Sequence, residues 1–228
     1  MSLAPHQFWQ TIDAPGTHVG GVTDGWVDGV PAALPDGREI LLPIRILPGD
    51  GSSAVASLIV NQASFAVEDA LSQAMADMLT RIGVDVVVGV PTLGLPLANN
   101  IARRLGHSRM VALGTSRKFW YQDALSAPIS SITSPTQQKT IFLDPRSLPL
   151  LERRRIAVVD DVISSGTSMA AVLTLLERAD LAPVAITAAM LQGTRWQEPL
   201  AAWRDRIMAP LRSPRLQLVD TKRWIPVD

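Results

Sequence analysis

Cysteine is absent from the 228 residues, which excludes a disulfide scaffold, a thiolate metal site and a cysteine nucleophile. Histidine is scarce too: His6, His18 and His107 leave little for a histidine-rich metal centre. Neither sign of charge prevails, since 21 Lys and Arg balance 21 Asp and Glu. That balance speaks against a nucleic-acid binder held by a general electrostatic field. Residues 1–37 contain no Lys or Arg at all, a poor composition for a DNA-binding arm. No apolar run approaches the roughly 20 residues of a membrane span, and the N-terminal stretch lacks the basic start and apolar centre of a signal peptide. A soluble, cytoplasmic protein with no membrane and no nucleic-acid partner is expected. What the chain does have is apolar mass: 47% hydrophobic against 18% charged residues, enough for a sizeable core in one large domain or a domain with a modest extension.

The first third is punctuated by turns, among them Pro35-Asp36-Gly37 and Pro48-Gly49-Asp50-Gly51, which separate short strand-like runs at 39–47 and 54–60. From Phe65 the period changes. Val67, Leu71, Met75, Met78 and Ile82 recur at helical spacing, and Gly83 suits the position past the helix end. Residues 84–90 form an almost unbroken β-branched run, as in a strand buried on both faces. A helix over 95–105, a short strand over 110–113, a strand at 156–159, a helix over 169–179 and a strand at 183–191 follow. Strands alternating with helices predict an α/β fold with a parallel sheet flanked by helices. The expected organisation is a β-rich N-terminal hood (1–64), an α/β core (65–191) and a tail (192–228) on the core or hood. Arg103-Arg104 and Arg153-Arg154-Arg155 read as solvated ends, and the six tryptophans as packing or interface residues. Of these only Trp120, beside a basic pair, is placed to touch a ligand.

The most informative stretch is Ile156-Ala157-Val158-Val159-Asp160-Asp161-Val162-Ile163-Ser164-Ser165-Gly166-Thr167-Ser168. An apolar strand delivers two adjacent carboxylates to its C-terminal end, where ligands of α/β proteins sit. A loop of small hydroxyl residues around one glycine then opens a helix, whose N–H groups and hydroxyls form a cradle for a phosphate. The acids suit the hydroxyls of an adjoining ribose, or a divalent cation. An N-cap cluster is the plain alternative, but two side-by-side carboxylates carry an electrostatic cost that calls for a partner. A second loop, Gly89 to Ala98, has glycines at the spacing of a nucleoside-triphosphate loop. Leu95-Pro96 stands where Lys-Ser/Thr would be required, which excludes that reading. Ser116-Arg117-Lys118 follows the short strand, and residues 121–139 form a long polar segment without helical period, as expected of a lid or a surface loop.

Residues 156–168 resemble the phosphoribosyl-pyrophosphate signature of the type I phosphoribosyltransferases, and the order of the other loops extends the likeness over about 54–200. The polar tract from Ser130 is most similar to the adenine and xanthine branch. By this resemblance Asp160 and Asp161 would hold the ribose hydroxyls and contact Mg²⁺ indirectly, through substrate or water. Ser164, Ser165, Gly166, Thr167 and Ser168 would hold the 5′-phosphate. Thr92, Leu93 and Gly94, in a loop that often carries a non-proline cis peptide, would bind pyrophosphate with Arg117 and Lys118. Leu93 departs from relatives that carry a basic residue there. Ser134 and Lys139 would belong to a mobile lid, and a homodimer is implied.

The reaction so implied moves the phosphoribosyl group of phosphoribosyl pyrophosphate to a nucleobase and releases pyrophosphate, with Asp160, Asp161 and Lys118 as its catalytic side chains. A purine is the expected acceptor. An acidic base such as orotate should demand basic residues nearby, and the hood offers only Arg38 and Arg45. Asn61, in the apolar stretch 58–62, would read the base edge, or else cap the next helix. Three rivals stand beside this reading: a non-enzymatic regulator that senses phosphoribosyl pyrophosphate and binds DNA, a structural or interaction domain that has lost catalysis, and an orotate phosphoribosyltransferase.

Overall fold

The computed structural model describes residues 3–18, 24–131 and 134–227; the side chains of 130–131 and 134–139 are not described. Three antiparallel strands come first: β1 (Gly29–Ala33), β2 (Glu39–Ile46) and β3 (Ser53–Ala56). Helix α1 (Phe65–Ile82) starts at Ser64, whose hydroxyl accepts from the Val67 N–H, and stops at Gly83, held at φ +75°. Its buried stripe is Val67, Leu71, Met75 and Leu79, with Ser72 and Ala76 beside it. The expected Met78 lies at the edge of the stripe.

Strand β4 (Val86–Gly89), helix α2 (Gly94–Arg104) and strand β5 (Val111–Ala112) follow, then a hairpin of β6 (Ser126–Ser131) and β7 (Ser134–Phe142). After the single turn α3 (Leu148–Leu151) come β8 (Ile156–Ile163), α4 (Thr167–Arg178) and β9 (Ala185–Gln192). The chain ends in four short strands: β10 (Ile207–Met208), β11 (Leu211–Ser213), β12 (Arg215–Leu218) and β13 (Trp224–Pro226).

The core sheet runs β10-β9-β8-β4-β5, with β11 also on β9, and all its pairings are parallel. Alternation along β8 shows why its sequence is apolar throughout. Ala157 and Val159 face α1, α2 and the hood, whereas Ile156 and Val158 face α4 and the hairpin. The hood is a second, antiparallel sheet in the order β1-β2-β3-β12-β13. It is therefore built from both ends of the chain, and an isolated bridge joins Trp26 to Trp224. Among the described residues, no helix is long and apolar enough to cross a membrane.

One local reading needs correction. Arg155 is more than a solvated end: its guanidinium donates to the carbonyls of Ile82 and Gly83 (both 2.7 Å) at the C-terminus of α1, where carbonyls lack partners within the helix. Arg104 likewise pairs with Asp69, tying α2 to α1. The polar segment 121–139 contains most of the β6–β7 hairpin, because Leu125 and Ala127, and Ile141 beyond it, bury themselves against the core sheet and α4.

Candidate active site

Strand β8 is longer than the apolar run that announces it. It continues through the acid pair, with Asp160 opposite Ala188 and Ile163 opposite Leu191 of β9. On its other side β4 stops at Gly89, paired with Val159. Asp160 is thus the first residue of β8 to outrun its neighbour, and the crevice opens there. A cavity of about 1190 Å³ occupies this place between core and hood.

Asp160 and Asp161 line the cavity floor. Asp160 is 8% exposed, and its Oδ1 accepts the Asp161 N–H at 2.9 Å. Burial holds the Asp160 carboxyl well above the usual carboxylate range, and the Asp161 charge adds to this. Burial also raises the Asp161 carboxyl. The pair therefore resists carrying two charges unless hydroxyl donors or a cation join it.

Next to it lies the loop that opens α2. The peptide between Pro91 and Thr92 is cis, and Thr92 and Leu93 line the cavity. Gly94 is packed against the acid pair. A Cβ on it would stand 2.8 Å from Asp160 Cα and 2.9 Å from the Val159 carbonyl, so only glycine lets the loop approach. On the far side of the acids, Ser164, Ser165, Gly166 and Ser168 line the cavity at the start of α4. Gly166 sits at φ +81°, a conformation that favours glycine, and a Cβ there would stand 3.0 Å from Pro199 and 3.1 Å from Trp196 Cα. Thr167 is exposed, and its hydroxyl lies 3.1 Å from that of Ser165. Ser164 donates to Gln192 Oε1 (2.8 Å), and Gln192 Nε2 donates to the Ala56 carbonyl of the hood (2.7 Å).

Other expected residues fare differently. Arg117 lines the cavity and pairs with Asp123, whereas the exposed Lys118 does not line it. Asn61 is a correction: it sits exposed in the 3₁₀ turn Val60–Gln62, outside the cavity, while Leu58 and Ile59 before it do line the wall. Nor does it cap α1, a task that falls to Ser64. Trp120 is also turned away, donating to Asp144 (3.3 Å) beneath the Arg146 guanidinium. The side chains of Ser134 and Lys139 lie outside those described. Sequence reasoning missed Gln192, Arg195 and Arg215, all of which line the cavity or buttress it. Gln192 ends a strand whose apolar run could have flagged it; the two arginines carry no local signal.

The phosphoribosyl transferase domain family matches residues 58–208, about two thirds of the chain. The chain belongs to that family. The adenine phosphoribosyltransferase of Giardia lamblia, solved with 9-deazaadenine, superposes on this phosphoribosyl transferase domain with a TM-score of 0.59 at 20% identity, over 74% of this chain and 93% of that one. The adenine phosphoribosyltransferase of Rhodothermus marinus gives 0.51 at 20% identity over the same shares. These likenesses show the fold: the expected type I core, with the antiparallel hood above it. Among curated proteins, a protein named transcriptional regulator GfcR from Methanosarcina mazei is 34% identical over 122 residues, 51% of this chain and 52% of that protein. The chain spans about half the length of the curated relatives it matches.

Proposed function

We propose that the domain transfers the phosphoribosyl group of phosphoribosyl pyrophosphate to a nucleobase, releasing pyrophosphate. The observation that supports this most is the acid pair on the floor of one cavity, flanked by two backbone cradles. The loop from Ser164 to Ser168 takes the 5′-phosphate, Asp160 and Asp161 accept from the ribose hydroxyls, and the loop of Thr92, Leu93 and Gly94 donates its amides to the pyrophosphate. As the C1–O bond to pyrophosphate breaks, the sugar gains oxocarbenium character and the ring nitrogen of the base attacks C1. The protein contributes position and fixed dipoles; no side chain need form a covalent bond. Arg117 adds positive charge near the leaving group, and Lys118, exposed beside it, supplies a second cation to the pyrophosphate.

Mg²⁺ fits this site in a limited sense. Among the described residues no cluster of three or more carboxylates and histidines stands ready for a metal, so Asp160 and Asp161 would steady an ion that substrate oxygens and water mostly hold. Its contribution would be to neutralise the departing pyrophosphate.

A second reading, a regulator that binds phosphoribosyl pyrophosphate without turning it over, is favoured by the names of the curated relatives. One experiment separates the two: pyrophosphate release measured across a panel of bases with phosphoribosyl pyrophosphate and Mg²⁺. Turnover with any base supports the transferase. Tight binding of phosphoribosyl pyrophosphate without release supports the regulator. The purine expectation loses part of its basis, because the fold adds Arg215, from the far end of the chain, to the hood wall.

A further inference from the structure

Four arginines line the cavity, and their places differ. Arg117 is paired with Asp123. Arg195 precedes Trp196, whose Cα would stand 3.1 Å from a Cβ on Gly166, which puts Arg195 beside the phosphate loop. Arg45 and Arg215 belong to the hood. The strand register sets them in one row across three strands, with Arg45 opposite Val55 and Val55 opposite Arg215. Directly opposed residues share a face, and this one is turned away from the buried Ala54 and Ala56, towards the cavity. Their Cα atoms are about 10 Å apart, two strand spacings, so both guanidinium forks can reach one small ligand. Arg45 makes no ion pair among the described residues. Val55 within the row and Leu47, Leu58 and Ile59 around it give apolar walls suited to a flat ring. Ser57, on the same face, has a buried hydroxyl with no hydrogen-bond partner among the described residues.

The two cradles already supply donors for the sugar phosphate and the pyrophosphate, and both lie on core loops. A cationic row on the apolar hood has no task in either. We infer that the acceptor is a planar heterocycle carrying negative charge, clamped by Arg45 and Arg215 with its ring against the Leu58–Ile59 wall. This rests on the proposed transfer reaction and specifies its acceptor. The charge can come from a ring carboxylate, as in orotate, or from a ring that loses a proton near neutral pH, as in xanthine.

The test is calorimetric binding of orotate, xanthine and neutral adenine to the full chain, repeated for Arg45→Gln and Arg215→Gln. Phosphoribosyl pyrophosphate with Mg²⁺ is titrated in parallel. Expected is binding of one of the anions at least ten-fold tighter than adenine, with a loss of about ten- to a hundred-fold in each variant. Affinity for phosphoribosyl pyrophosphate should stay within about two-fold, and Arg45→Lys and Arg215→Lys, which keep the charge without the fork, should lose less. The pH dependence identifies the source: affinity that climbs as the ring ionises marks a ring anion, and a flat profile marks a carboxylate. Adenine binding as tightly as either anion, or an anion affinity unchanged in both Gln variants, would overturn the inference. So would a parallel loss for phosphoribosyl pyrophosphate, which would assign the arginines to a phosphate. Arginine-dependent binding of the anion with no pyrophosphate release from any base would instead sink the transferase reading and leave the anion site standing.

Discussion

Asp160 concentrates the chemistry of the molecule in one buried carboxyl. Its folded-state proton affinity is raised by burial and by the charge of Asp161. The sign follows from linkage. The folded protein binds that proton more tightly than the unfolded chain, so the contribution to stability is complete below the usual carboxylate range. It is lost as pH rises from the unfolded value through the raised folded one. Towards neutral pH the empty protein therefore loses that contribution. Asp160→Asn, which keeps an oxygen for the Asp161 N–H, should raise the melting temperature at pH 7.5 by about 2–4 °C for each kcal/mol of relief. The advantage should shrink towards about pH 4, near the ordinary aspartate range. The same variant should weaken phosphoribosyl pyrophosphate with Mg²⁺ by ten-fold or more, about 1.4 kcal/mol. A variant that melts lower at pH 7.5 would show that the pair is already compensated within the protein. The acids, Gly94 and the serine loop were legible in the sequence because each need is local: a strand end, a close approach, a helix start. Asn61 was misread because an exposed amide and a buried one look alike in a short apolar stretch.

At the scale of elements, the parallel sheet could be read from apolar periodicity alone, since strands buried on both faces have no polar side to hide. The acid pair, by contrast, falls inside β8, because pairing with β9 carries that strand four residues past the apolar run ending at Val159. Gly94 shows how tightly α2 and β8 meet. A methyl there would collide with main-chain atoms that cannot turn aside. Gly94→Ala should cost about 1–3 kcal/mol of stability, the usual penalty of overpacking, and weaken pyrophosphate binding in the same calorimetric assay. Unchanged stability and affinity would mean that the loop yields freely. The β6–β7 hairpin makes a different demand. Arg178 of α4 holds its base through the Ser126 carbonyl (2.9 Å), and Ile129, Ile141 and Phe142 line the cavity. Limited proteolysis of the full chain should therefore slow within residues 121–142 when phosphoribosyl pyrophosphate and Mg²⁺ are added, as a covering element requires. Equal cleavage rates with and without ligand would remove the hairpin from the binding event.

Over the whole molecule, the hood closes the chain on itself, β1 to β3 coming before the core and β12 and β13 after it. Nothing local in the sequence announces that closure. Strand order in an antiparallel sheet built from segments some 160 residues apart is a property of the packed core, which is why Arg215 escaped a reading made along the chain. Hood and core are joined where the ligand would sit, by Gln192. The residue is 9% exposed, and its side chain accepts from the Ser164 hydroxyl and donates to the Ala56 carbonyl, so the phosphate loop and the hood share one amide. Gln192→Leu preserves bulk but leaves a buried carbonyl and a hydroxyl without their partner, at about 1–3 kcal/mol for each group left unsatisfied. Gln192→Glu separates the two links: a carboxylate still accepts from Ser164 but faces the Ala56 carbonyl with repulsion. Leu should therefore lower the melting temperature and weaken both sugar-phosphate and acceptor binding. Glu should weaken phosphoribosyl pyrophosphate more than Leu does, because its charge stands against Ser164 of the loop proposed to take the 5′-phosphate, while also raising KM for the acceptor through the lost tie to the hood. Equal effects of the two variants on both ligands would show that the amide braces the fold without coupling its two halves.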